Sequence, residues 1–198
     1  HSFPTRRSSD LFDPDIHRPI NCIDASFQCE ASFIGTWSPK KELYLKELIE
    51  KLPSLKLKIW GSQWQRSNIP KKYCVYQPVS GDLYALAINS SRINIALLSE
   101  KVTGASSGDR ITSRTFHIPG AGGFMLHERT DEVLKCFEEG KEMACFNSPD
   151  ELAENVNFYL TQSIERQAIA EAGYQRALRE HSLDHRAQKV IEIIHENL

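Results

Sequence analysis

Apolar residues along this chain fall into two alternating rhythms. After Ser38 and Pro39, a cap and first-turn pair, Leu45, Leu48, Ile49 and Leu52 recur at i, i+3, i+4 and i+7, which predicts a helix with one buried stripe. The run before it, residues 31–35, is short, apolar and stopped by glycine, as a strand is. Leu55, Leu57 and Ile59 alternate with Lys56 and Lys58 as far as Trp60 and Gly61, the period of a second strand. A weaker strand is predicted over residues 73–76. A helix capped by Ser80 and carrying Leu83, Leu86 and Ala87 follows, and then a nearly continuous apolar strand over residues 93–98.

The second half repeats the alternation. Residues 123–127 read as a fifth strand, residues 131–139 as a helix ended by Gly140, and residues 143–146 as a last short strand. Ser148, Pro149, Asp150 and Glu151 form a capping box that opens a helix, and two more helical stretches cover residues 164–179 and 184–197. Strands alternating with helices predict an α/β fold: a Rossmann-like parallel sheet with helices on both faces and a helical C-terminal tail. Ligands of such sheets sit beyond the carboxyl ends of the strands, which nominates the loops at residues 36–41, 61–66, 77–81, 99–115 and 127–131.

Composition narrows the classes. With 198 residues and 40% hydrophobic content, one well-buried domain is expected. The balance of 24 basic against 26 acidic residues leaves a formal charge of −2, too little to build a broad field for nucleic acid or an anionic membrane, so any anion is caught locally. Five cysteines without C-x-x-C spacing suggest neither a disulfide framework nor a zinc site, and they fit a reducing cytoplasm. No run approaches the roughly 18 apolar residues of a membrane span. Residues 1–11 resemble a translated sequencing-adapter tail; they are expected to be non-native and poorly ordered. Residues 12–30, with Pro14 and Pro19 and no period, read as the remnant of an interdomain linker, and residues 31–198 as the domain.

The segment 101–123 carries the most chemistry. Gly104, Ser106, Ser107 and Gly108 make a polar loop that leads into a short helix near Ser113, Arg114 and Thr115. A helix N-terminus with free N–H groups, flanking hydroxyls and a guanidinium suits a diphosphate; capping of that helix with a solvated Arg114 accounts for the same residues equally well. Gly120, Gly122 and Gly123 precede a strand and lack the G-x-G-x-x-G order, which excludes the dinucleotide fingerprint and leaves them a turn. Trp37 and Trp60 read as packing residues, while Trp64, in a more polar loop, is left open between packing and stacking on a base. His181 and His185 are spaced for a metal on a helix but lack a third ligand nearby and read as a solvated pair. Neither a G-x-S-x-G elbow nor HExxH is present.

An ordered set of motifs then resembles a family. Phe33-Ile34-Gly35-Thr36-Trp37-Ser38-Pro39, Leu57-Lys58-Ile59-Trp60-Gly61, Ser113-Arg114-Thr115-Phe116-His117-Ile118-Pro119 and Gly122-Gly123-Phe124-Met125-Leu126-His127-Glu128-Arg129-Thr130 look like the glycosyltransferases of the spore-maturation, group-1-like class. The resemblance runs from about Asp13 to the end of the chain. It implies the C-terminal half of a GT-B enzyme, whose two Rossmann-like domains face each other across a cleft. This half would hold a nucleoside-diphosphate sugar, and an N-terminal acceptor-binding domain would precede residue 13. The last helix looks like the one that crosses back toward that domain.

By position, the resemblance puts Gly35, Thr36 and Lys41 (or Lys40) with Ser113, Arg114 and Thr115 at the donor phosphates. It puts His117 at the ribose, while Gly61 and Trp64, near the end of the second strand, are candidates for the ribose or base, and Glu128, after the fifth strand, for the sugar hydroxyls. In relatives an arginine often follows the glycine at the position of Gly35, and Thr36 supplies no such charge. A glutamate usually stands where His117 does, and an imidazole accepts one hydrogen bond from a ribose diol where a carboxylate accepts two. The expected function is transfer of a sugar to an unknown acceptor, with no cofactor and no metal. Any general base would lie in the other domain, so the fragment would bind donor without turning it over. A non-catalytic nucleotide-binding module is the alternative.

Overall fold

A computed structural model describes residues 12–20, 24–99 and 109–196. The polar loop formed by Gly104, Ser106, Ser107 and Gly108 and the tail at residues 1–11 lie outside them. Six strands form one parallel sheet: β1 (Cys29–Ile34), β2 (Leu57–Trp60), β3 (Cys74–Val75), β4 (Ser91–Ala96), β5 (Met125–Glu128) and β6 (Ala144–Phe146). Between them run α1 (Pro39–Lys51), α2 (Asp82–Asn89), α3 (Ser113–Gly120) and α4 (Asp131–Cys136), and α5 (Pro149–Thr161), α6 (Ser163–Glu180) and α7 (Leu183–Glu196) complete the chain. The spatial order is β3-β2-β1-β4-β5-β6, so the chain reverses its direction of growth between β1 and β4. That reversal opens a crevice beyond the carboxyl ends of those two strands.

Register fixes what lines the crevice. Phe33 pairs with Ile59 on one side and Ile95 on the other, which brings the ends of β1, β2 and β4 to one level. The sheet separates two apolar layers, as alternation along each strand requires. One joins Phe33, Ile59 and Ile95 to Leu45 and Leu48 of α1 and Val156 of α5; the other joins Ile34, Trp60 and Met125 to Ile88 of α2 and Phe116 of α3. Inside the sheet Asn94 accepts from the Ser32 hydroxyl at 2.9 Å and donates to the carbonyls of Ile88 and Phe124. β1 and β4 are thereby tied together without an unpaired amide.

Three local features differ from the sequence expectation. Gly81, with φ of 57°, rather than Ser80, turns the chain into α2, and Leu83 faces water. Helix α4 ends at Cys136, and its cap Thr130 accepts from Val133 N–H. The third concerns the segment before β1. Residues 12–19 are a strap packed on the domain: Phe12 is fully buried, bridges to Ser182 and accepts from Leu183 N–H at 3.0 Å. Its ring lies where a Cβ on Gly120 would come within 2.5 Å, so this close approach requires glycine at position 120. Two main-chain bonds from Ile16 and His17 to Asp13 O turn the strap, and Arg18 pairs with Asp82 of α2. No helix among the described residues is long and apolar enough to cross a membrane.

Candidate functional site

Arg114 sits at the crevice between β1 and β4. As the second residue of α3 it reaches back over the sheet edge, and its Nη2 donates to Leu97 O, just past β4, at 2.7 Å. Its Nη1 lies 3.0 Å from where a Cβ on Gly35, just past β1, would stand, so glycine there leaves room for the guanidinium. The Cζ carbon is 5.5 Å from the centre of the Phe33 ring, and Lys41 Nζ is 5.8 Å from the same ring. Two basic side chains therefore converge on one aromatic ring at the end of the central strand.

Lys41 is unusual for its burial. It shares the apolar face of α1 with Leu45 and Leu48, is 3% exposed, and donates to Thr36 O at 2.9 Å. Burial, and then the positive charge of Arg114, push its pKa down to about 7. Asp109, at the end of the loop after β4, opposes both effects and also favours the charged form of Arg114. Burial lowers the basicity of Arg114 as well, but a guanidinium stays protonated.

The Arg114 Nε and the hydroxyl of Tyr84, a residue in the first turn of α2, are buried with no hydrogen-bond partner among the described residues. The ring of His117 stacks on His17 of the strap, with centroids 3.8 Å apart, and both meet the ring of Tyr84 edge-on. His17 has its pKa lowered, chiefly by burial.

A hydrogen-bonded chain fixes the start of α3. Thr112 N–H donates to Thr115 Oγ1 at 3.1 Å, and that hydroxyl lies 2.8 Å from Nε2 of the fully buried His127 in β5. Burial above all pushes the His127 pKa down to about 4, so the ring is neutral. Thr115 then donates to Nε2, and Nδ1–H donates to Glu128 O. The chain ties the N-terminus of α3, and Arg114 with it, to the end of β5.

The structure brings Gly35, Lys41 and Arg114 together and gives other expected residues different work. Thr115 is fully buried and engaged on both sides, so its hydroxyl is not offered to a ligand, whereas Ser113 is half-buried. Thr36 is exposed, and its hydroxyl pairs with that of Ser62 at 3.1 Å. Gly61, with φ of 132°, packs against the Gly35 carbonyl so closely that a Cβ would stand 2.3 Å from that oxygen. Trp64 is 1% exposed, and its Nε1–H donates to Gly35 O at 2.8 Å. It supports the site from below, and a base has no access to its faces. Glu128 accepts from Lys40 and, through Oε2, from Leu98 N–H at 3.0 Å, which leaves it holding the strand ends together. His181 is 9% exposed and belongs to the layer beneath α3, against Phe116 and Phe137, rather than to a solvated pair. Tyr84, His17 and Asp109 were not expected. Tyr84 had one legible sign, an aromatic in the first turn of a helix that follows a strand. Two cavities of about 750 Å³ and 230 Å³ open at the opposite edge of the sheet, around Ser91 and Arg92.

The fold and the site define a Rossmann-like α/β domain whose β1–β4 crevice holds Arg114 and Lys41 over one aromatic ring. The chain belongs to the glycosyl transferase-like family, whose family model matches residues 40–192. No curated protein sequence matches it significantly. Its fold is similar to the C-terminal domain of LpcC, a glycosyl transferase group 1 family protein from Francisella tularensis, with a TM-score of 0.65 at 9% identity over 87% of this chain and 99% of that one. It is also similar to sucrose-phosphate synthase from Thermosynechococcus elongatus, with a TM-score of 0.70 at 8% identity over 94% of this chain and 51% of that one. Anabaena HepE, solved in complex with UDP and glucose, gives a TM-score of 0.66 at 13% identity over 94% of this chain and 55% of that one. The chain thus spans about half the length of the two larger enzymes, and its sheet is that of the C-terminal Rossmann-like domain of a GT-B glycosyltransferase.

Proposed function

We propose that this chain is the donor-binding domain of a glycosyltransferase, holding the diphosphate of a nucleoside-diphosphate sugar at Arg114 and Lys41. The observation that carries the reading is the Arg114 guanidinium at the β1–β4 crevice, with Lys41 on the same aromatic ring and a free Nε. UDP in the HepE structure is consistent with it. As the glycosidic bond breaks, negative charge grows on the leaving diphosphate, and fixed cations with the N-terminus of α3 stabilise that charge without reorganising. These groups supply what a metal would otherwise bring, so the reading includes no metal requirement. The acceptor and any general base belong to an N-terminal domain of the same protein, and the domain by itself binds without turnover, in the cytoplasm. The ordered motifs from Phe33 to Thr130 support assignment to the spore-maturation type.

One observation favours a second reading, a non-catalytic nucleotide-binding module: His117 is stacked on His17, at the position where the family resemblance implies a carboxylate for the ribose. Calorimetric titration with UDP, GDP, ADP and their sugars tests both. Saturable binding that Arg114→Ala removes supports a diphosphate site. Absence of binding to the folded chain at millimolar ligand sinks both readings. Binding without turnover by the complete two-domain protein, across acceptors, selects the module.

A further inference from the structure

Tyr84 and Arg114 present complementary unmet hydrogen-bonding groups. Arg114 Nε–H is a donor only, whereas the Tyr84 hydroxyl can accept, and both are buried with no partner among the described residues. The element that carries Arg114 brings the two side chains into one region. His117 lies one turn beyond Arg114 on the same face of α3, and the Tyr84 ring meets it edge-on at 5.7 Å. The charge of Arg114 acts on the Tyr84 hydroxyl, so the two lie within electrostatic reach of each other. Burial raises the Tyr84 pKa, which keeps the phenol neutral, with lone pairs that can accept from a donor. In this state Nη2 is instead held by Leu97 O.

A buried donor and a buried acceptor that both lack a partner are an unstable arrangement, since each forgoes the hydrogen bonds it makes with water in the unfolded chain. Here it has a direct resolution. A diphosphate in the crevice draws Nη1 and Nη2 outward from Leu97, and that reorientation of the guanidinium frees Nε–H to turn toward the phenolic oxygen. We propose that Tyr84 is a positioning residue that accepts from Arg114 Nε when the diphosphate is bound, and so selects the ligand-bound orientation of the guanidinium. The inference rests on the donor-site reading. Tyr84 is 8% exposed and need not touch the ligand; it acts through Arg114.

The test is Tyr84→Phe in the 198-residue chain, with UDP and inorganic pyrophosphate as probes. Removing a hydroxyl that has no partner leaves the unliganded melting temperature unchanged or raises it, whereas affinity for both probes falls about tenfold or more. In the proton–nitrogen spectrum, the Arg114 Nε–H of the parent chain shifts and gains protection from exchange when UDP is added, and that of the variant does not. A variant that binds as well as the parent, or that melts lower without ligand, overturns the inference and leaves the donor site standing. A folded parent chain that binds neither probe overturns the donor-site reading and this inference with it.

Discussion

Arg114 donates to the carbonyl of Leu97 across the point where the sheet changes direction, so the only charged side chain of the α3 N-terminus is anchored to the end of a central strand. The bond sets a direction. It turns the guanidinium onto the Phe33 ring and away from bulk water, a position in which attraction to an anion is screened far less than at an open surface.

Arg114→Ala is therefore expected to weaken UDP binding at least tenfold, a charge-assisted contact being worth about 1.5–3 kcal/mol. Arg114→Lys keeps the charge but loses the forked geometry, and should fall between. Calorimetry on chains shown to be folded by circular dichroism measures both. Equal affinity in all three chains would remove Arg114 from the site.

Lys41 should make both stability and binding depend on pH near neutrality. With its folded pKa lowered to about 7, the unfolded chain holds more protons than the folded one between that value and the ordinary lysine value of about 10.4. Stability attributable to this group therefore rises as pH increases from about 7 toward 10, and the cost of burying the charge is fully present below 7. A diphosphate beside Nζ favours the ammonium, so UDP binding at pH 8 should take up a proton, seen as a binding heat that varies with the ionisation enthalpy of the buffer. In Lys41→Met that variation should disappear.

The parallel sheet was legible because apolar period alone separates these strands from these helices, and glycine or a capping residue marks most boundaries. Arg114 and Gly35 were legible through their motifs. Lys41 was named through the same motifs, and its spacing from Leu45 and Leu48, which puts it on the buried stripe, is a second sign that the sequence reading passed over. What escaped depends on contacts between distant segments. Phe12 stands alone in a proline-containing stretch with no period, and only the groove over Gly120 makes it a core residue. Trp64 lies among polar neighbours in the sequence, but the carbonyl of Gly35 draws its indole inward. Glu128 looks available until Lys40 and Leu98 N–H are brought to it from two other elements.

His127 should make the domain acid-sensitive. Its folded pKa of about 4 lies below the ordinary value of 6.5, so the unfolded state takes up the proton first, and stability is lost as pH falls from about 6.5 toward 4. The loss is on the order of 3 kcal/mol for a gap of that size. Protonation also makes Nε2 a donor, which reverses its bond with Thr115 and loosens the start of α3. Melting temperature followed from pH 7 to pH 4.5 should decline less in His127→Gln than in the parent chain, although the variant is less stable at pH 7. Parallel declines would show that another group governs the acid limb.

The strap offers the last prediction. Phe12 is fully buried against Gly120, and the same strap carries His17 onto His117, so packing at one end positions a ring beside the candidate site at the other. Phe12→Ala should cost about 3–5 kcal/mol, as for other large-to-small changes in a packed core. Gly120→Ala should be comparably harmful, because the added methyl meets the Phe12 ring and not a flexible side-chain end. The two effects are coupled: with Phe12 already truncated, the methyl at position 120 has room, and the double variant should be more stable than the sum of the single losses predicts. Urea unfolding of the four chains closes that cycle. Strict additivity would mean that the strap does not pack on Gly120 in solution.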